Sequence, residues 1–233
     1  MSSSGVSGTL YSIKQFIMAG VPAFPIIAGG LTLLLAASTA SVGYLILFLC
    51  LALIVPMLTT GINKLAVLLI PLIQMFVPDF SVATVSAGIC KIAGQTAASD
   101  EAIPTLPSYW MTSVIFFFSF LFFNGLALYN YSASSEAEQK KVTVRKSQAV
   151  IGMVLSAVFL GLFMAWRLYS GCENALGVAL ALPFIPLAYG IFTMFENCGL
   201  LRVLDLYGIG GRLLPVSALA PPTQVCFPVA DGA

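Results

Sequence analysis

Long apolar runs separated by short polar breaks dominate the pattern of this chain. Six runs are predicted to be membrane-spanning helices: residues 16–40, 44–58, 65–89, 109–131, 147–169 and 175–195. A helix needs about 20 predominantly apolar residues to cross the hydrocarbon core of a bilayer. The pattern therefore predicts an all-α fold, a polytopic transmembrane helical bundle that occupies residues 1–196.

A sustained polar segment, residues 132–146, separates the two clearest runs. Its sequence is SASSEAEQKKVTVRK, and we predict that it is a loop outside the membrane. The run before it, 109–131, is rich in phenylalanine on every helical face, which is typical of a helix surrounded by other helices or by lipid. Tryptophan and tyrosine at the ends of both neighbouring runs are placed as an interfacial aromatic belt would be, and Arg167 is interpreted as snorkelling to the interface.

The third run decides the topology. Pro71 interrupts it and Pro78 precedes Asp79, so residues 65–89 either cross as a broken helix or re-enter. If they cross, the bundle has six spans; if they do not, it has five, and residues 132–146 lie opposite the N-terminus. With six spans, one side holds these eight of the ten basic residues: Lys14, Lys64, Lys140, Lys141, Arg145, Lys146, Arg202 and Arg212. The bias of basic residues toward the cytoplasm favours six spans, with both termini and residues 132–146 on the cytoplasmic-equivalent side.

The last part of the chain, residues 197–233, changes character. Apolar residues recur around Arg202 and Asp205, which predicts a short amphipathic helix lying at the membrane interface. The glycine run 208–211 ends it, and the remainder, rich in proline and small residues, is predicted to be irregular.

Composition agrees with a membrane protein and excludes several functions. The chain is 59% hydrophobic and 8% charged, whereas soluble domains carry about 25% charged residues. The net charge of +1 gives no electrostatic basis for binding nucleic acid. There is no histidine, and the five cysteines form no Cys-x-x-Cys pair, so we expect no metal site, no cofactor and no enzymatic activity.

An ionisable residue at membrane depth is a candidate for function because burying its charge is costly. Asp79 is the best such candidate, with Gln74 earlier in the same broken segment. It is either part of an ion or proton site, or a hydrated residue at a helix end. Asn124, inside the run 109–131, either contacts a substrate or forms a hydrogen bond between helices.

Small residues recur at four-residue spacing in the last two runs, and such ridges let a second helix approach closely. The predicted packing positions are Gly152, Ser156, Ala157, Gly161, Ala165, Gly177 and Ala181.

Several spans followed by a Gly/Pro-rich apolar tail, after GLLRVLDLYGIGGRLLP at residues 199–215, resemble the small multi-pass proteins of the internal membrane of large icosahedral DNA viruses. The resemblance implies a structural or assembly role, with the lipid bilayer and other membrane or capsid-type proteins as partners. The competing hypothesis is a small ion or solute channel or transporter that uses the segment around Asp79.

Overall fold

The computed structural model describes residues 21–39, 42–76, 107–130 and 136–197. Within them every regular element is helical, so the predicted all-α fold class is confirmed for this part of the chain. The elements are α1 (Phe24–Thr39), α2 (Val42–Leu49), a π-helical turn (Cys50–Ile54), α3 (Val55–Phe76), α4 (Tyr109–Asn130), α5 (Glu136–Tyr169), α6 (Ala175–Ala181) and α7 (Phe184–Asn197).

Four helical stretches of the described chain are long and apolar enough to cross a membrane. They are Val42–Leu72, Tyr109–Asn130, Arg145–Tyr169 and Ala175–Asn197, and the shorter Phe24–Ser38 is also apolar. A multi-pass helical membrane protein fits this arrangement, but six spans are not confirmed. The predicted runs 44–58 and 65–89 are joined in the structure, because one continuous helical stretch extends from Val42 to Phe76.

The gap predicted between the runs 44–58 and 65–89 is helical for a local reason. The Thr59 and Thr60 hydroxyls donate to the carbonyls of Val55 and Pro56, at 2.7 and 2.8 Å, so the helix itself satisfies these polar groups. The π-helical turn ends at Ile54, two residues before Pro56, and its wider turn relieves the clash that a proline ring makes with the preceding residues.

The central element is α4, which contacts α1, α3, α5, α6 and α7. It is the most buried of the four candidate spans, as the phenylalanines on all its faces would require. It runs antiparallel to α5: Trp110 lies beside Arg167 at one end, and Tyr129 beside Lys146 at the other. We call these the Ser108 end and the Asn130 end of the bundle.

The prediction of a loop at residues 132–146 is wrong from Glu136 onward. Residues 136–146 form the first three turns of α5, whose 34 residues extend for about 51 Å at 1.5 Å per residue. Glutamate, alanine, glutamine and lysine are strong helix formers, so a polar sequence here prolongs the helix. Residues 131–135, the third run beyond Phe76, and the predicted interfacial helix and tail lie outside the described residues.

The end of α5 brings the next turn back onto the bundle. Gly171 has φ of 69°, and the N–H of Cys172 donates to the Arg167 carbonyl while that of Gly171 donates to the Leu168 carbonyl. These two bonds form a Schellman motif, in which glycine accepts the left-handed conformation without a steric cost. The reversal places Glu173 against the start of α4.

Candidate functional site: a buried ion pair at the Ser108 end

The buried site is built on the helix cap of α4. The Met111 N–H donates to Ser108 Oγ at 3.1 Å, which makes Ser108 the N-cap residue. In turn, the Ser108 N–H donates to Glu173 Oε1 at 3.2 Å, and the Ser108 hydroxyl donates to Glu173 Oε2. In a capping box the third helical residue supplies such a carboxylate, but here it comes from the turn after α5, 65 residues away.

Arg167 completes the site from the last turn of α5. Its Nη2 lies 4.0 Å from Glu173 Oε2, and its guanidinium centre lies 4.7 Å from the centroid of the Trp110 ring. The side chains of Arg167 and Glu173 are 3% and 0% exposed. Arg167 therefore does not snorkel, because its charge is paired inside the bundle instead of reaching the interface.

Trp110 links this site to the segment just before α1. Its indole N–H donates to the Val21 carbonyl at 2.8 Å, and the residue is fully buried. The prediction that Trp110 belongs to an interfacial belt is wrong, because its ring packs between Arg167 and Phe163. Tyr169, at 93% exposed, does occupy the outer surface at this end of the bundle.

Burial sets the electrostatics of Glu173. Desolvation raises the pKa of its carboxyl, and the two hydrogen bonds from Ser108 and the charge of Arg167 oppose that shift. Because the folded chain holds the proton more tightly than the unfolded chain, the stabilisation from Glu173 is greatest below the ordinary pKa of a glutamate. It falls as the pH rises through the raised value.

Two further features fix the turn that carries Glu173. Asn174 is the N-cap of α6, and its side-chain oxygen accepts from the Gly177 N–H at 2.6 Å. Cys172 is buried and disulfide-bonded, whereas Cys50 is a free thiol. The turn is therefore held by a cap, a carboxylate and a covalent bond.

The hydrogen bonds of Ser108 are those of a helix cap. Ser108 Oγ donates to a carboxylate and accepts from a backbone N–H, so its hydroxyl is committed to the cap, and the residue is 9% exposed. A catalytic serine needs a base and also access to its substrate. Among the described residues, no group of histidine, cysteine or carboxylate side chains could hold a metal ion.

The predicted polar candidates are not at this site. Asn124 is 3% exposed in α4, four turns from Ser108 along the helix, and Gln74 is exposed near the end of α3. Asp79 lies outside the described residues, so its role stays a prediction.

The predicted packing positions divide into two groups. Ser156, Gly177 and Ala181 are buried and Gly152 is half-buried, whereas Ala157, Gly161 and Ala165 are exposed. A Cβ added at Gly177 would collide with the Glu173 carboxylate, so this glycine makes room for the turn before α6. A Cβ at Gly161 would meet nothing within 4 Å.

No family model, curated protein or solved structure matches this chain. The resemblance to viral internal-membrane proteins therefore stays a prediction from the sequence. Inference about function depends on the described residues themselves.

The ion pair predicts unequal effects of its two members on stability. Arg167→Met should lower the free energy of unfolding by about 3 kcal/mol, because it leaves a buried carboxylate without its charge partner. Glu173→Gln should cost more, because the Arg167 guanidinium that it leaves buried keeps its charge, whereas the Glu173 carboxyl left by Arg167→Met can take up a proton. The double variant should recover part of the Arg167→Met loss.

These free energies can be measured by denaturant titration of the full chain in detergent, followed by circular dichroism. Tyr169→Phe, at an exposed position of the same helix turn, serves as the control. Equal losses for the two single variants, with an additive double variant, would show that the two charges do not interact.

Proposed function

We propose that this chain is a structural or assembly protein of a membrane, without catalytic activity, which packs against other membrane or shell proteins. The observation that supports this proposal most is the outer face of α5. Only 11% of the apolar window of α5 is buried inside the chain, against 61% for α4. Most of the apolar surface of α5 is therefore available for contact with lipid or with another protein.

Small residues give this face a shape suited to another helix. Ala157, Gly161 and Ala165 are exposed at four-residue spacing, and larger apolar side chains such as Val158 and Leu162 lie beside them. A ridge of small residues lets two helix backbones approach closely inside a membrane, where packing and not the hydrophobic effect drives helix association. Gly177 differs from these three residues, because it already packs against the Glu173 carboxylate of the same chain. It is therefore not available to a partner helix.

Replacement of Gly161 by isoleucine should weaken assembly without unfolding the protein. The side chain would project into open space in the isolated chain, but it would separate a partner helix from the ridge. Gly190→Ile is the matched control, since Gly190 is also exposed in a span with nothing within 4 Å of an added Cβ. The readout is migration of the native complex on a detergent gel, and loss of the complex in both variants, or in neither, would contradict the proposal.

The finer topology is also a proposal. Helical continuity from Val42 to Phe76 supports the five-span alternative, in which α1 and the four longer stretches cross once each. The Asn130 end then shares its side with residues 132–146 and with the tail, and the basic residues there favour the cytoplasmic-equivalent side. The Ser108 end, with its disulfide-bonded cysteine, lies on the other side, where oxidising compartments allow disulfides.

This topology predicts opposite sides for the N-terminus and Ser135. An epitope placed before residue 1 and a second epitope inserted at Ser135 should respond oppositely to protease added outside sealed vesicles. Equal protection of both epitopes would instead support six spans.

The competing proposal is a small channel or transporter. Two buried polar atoms support it, Asn63 Oδ1 on α3 and Ser113 Oγ on α4, because neither forms a hydrogen bond. The same two helices are joined by a hydrogen bond of 2.8 Å between the hydroxyls of Thr59 and Thr112. Unsatisfied polar atoms in an interior cost free energy unless they serve a purpose. Flux in liposomes that is present in the wild type and lost in Asp79→Asn would favour this function. Absence of flux under every gradient tested would exclude it.

A further inference from the structure

A cleft opens between α4 and α7 at the Asn130 end of the bundle. Its volume is about 260 Å³, below the range of about 300–1,000 Å³ that encloses drug-sized ligands. A cleft of this volume can hold the polar headgroup of a larger ligand whose other atoms lie outside the cleft. Phe123 and Asn130 line it from α4, and Tyr189, Phe192 and Glu196 line it from α7.

The spacing of these residues places them on one face of each helix. Phe123 and Asn130 are seven residues apart, as are Tyr189 and Glu196, and Phe192 lies three residues after Tyr189. Residues separated by three, four or seven positions share a helical face. Both helices therefore present an aromatic ring deeper in the bundle and a polar side chain at its end.

The aromatic rings form a corner. The centroids of Phe123 and Tyr189 lie 5.0 Å apart with the ring planes at 56°. Phe192 is 2% exposed and packs edge-on against Phe120 at 5.8 Å, so it forms a fixed base for the cleft. Tyr189, at 51% exposed, leaves much of its ring available to a ligand.

The charged side chain among the residues that line the cleft is the Glu196 carboxylate. Asn130 is the last residue of α4, and Glu196 is the penultimate residue of α7, so the cleft lies at two helix C-termini, where the helix dipole is negative. Neither helix carries a basic residue in its last turn. The Glu196 carboxylate adds a full negative charge where a cation would be stabilising.

We propose that this cleft binds the quaternary ammonium headgroup of a phospholipid. Aromatic faces next to a carboxylate are the chemistry that recognises such cations, because the ring quadrupole and the carboxylate both attract a poorly hydrated positive charge. The same end of the bundle already has one such contact, in which the Lys146 ammonium lies 5.7 Å from the centroid of the Tyr129 ring.

A lipid, and not a soluble amine or a lysine of another protein, fits the location. The cleft lies at the ends of Tyr109–Asn130 and Ala175–Asn197, two of the helices long and apolar enough to span the bilayer, where headgroups are concentrated. Exposed apolar residues of the same two helices, Leu126 and Met194 among them, offer a surface for the acyl chains. This inference does not depend on the assembly role.

The test measures lipid retained by the full chain. Protein reconstituted in an equimolar mixture of phosphatidylcholine and phosphatidylglycerol, then extracted in mild detergent, is analysed by native mass spectrometry. Glu196→Gln and Tyr189→Ala should each reduce the enrichment of phosphatidylcholine about threefold to fivefold, the order expected for a single exposed cation–aromatic or charge contact. Tyr169→Ala, at the opposite end of the bundle, should leave it unchanged.

A second arm separates headgroup from acyl-chain binding. Tetramethylammonium chloride should displace phosphatidylcholine from the wild type, whereas the same concentration of sodium chloride should not. Equal retention of both lipids by the wild type, enrichment unaffected by Glu196→Gln and Tyr189→Ala, or failure of tetramethylammonium to compete would each overturn the proposal. A co-purifying protein lost from Glu196→Gln while lipid retention stays unchanged would overturn it too, in favour of a protein cation as the occupant. Circular dichroism of each variant confirms that the helices are intact.

Discussion

The burial of one carboxylate against the N-cap of the central helix organises the Ser108 end of this bundle. Glu173 accepts both hydrogen bonds that Ser108 can donate, and its charge faces Arg167. The cap orients α4, the turn carrying Glu173 orients α6, and Arg167 orients the end of α5. Trp110, stacked on Arg167 and bonded to Val21, extends the same arrangement to the chain just before α1. One desolvated acid is thus connected, directly or through at most two neighbours, with four segments of the chain.

A buried ion pair of this kind contributes more to specificity than to net stability. Removing two charges from water is expensive, and their attraction at 4.0 Å returns only part of that cost. The pair does, however, penalise every other arrangement, because a shift of α5 or of the turn would leave one charge buried alone. Apolar helices in lipid have few such constraints, since their side chains can pack in many registers. We infer that the pair sets the relative register of α4, α5 and α6.

The sequence predicted those features that depend on local composition and missed those that depend on contact between distant segments. Apolar runs identified the all-α fold class and the positions of α4, α5 and the α6–α7 stretch, because each run is long and has few alternatives. Arg167 and Glu173 were not recognised as a pair, since each lies next to a predicted membrane boundary, where a charged residue is ordinarily hydrated. The sequence offers one signal that could have found the site, namely a serine directly before a predicted helix without an acidic residue in its first turn. The extent of helical structure at residues 59–61 and 136–146 was missed because backbone hydrogen bonds and helix propensity outweigh polarity there.

The two ends of α4 differ in a way that links the bundle to its surroundings. At the N-terminus the helix dipole is positive, and the chain supplies a carboxylate, Glu173, from its own later turn. At the C-terminus the dipole is negative, and the chain supplies a second carboxylate, Glu196, where a cation would be expected. At the first end the carboxylate is buried and lies 4.0 Å from Arg167, whose buried Nε forms no hydrogen bond. The cleft at the second end is lined by aromatic rings and a carboxylate, and a positive charge from outside α4 and α7 would be stabilising there. In a bilayer, the quaternary ammonium group of a zwitterionic phospholipid can supply that positive charge at the ends of the spans.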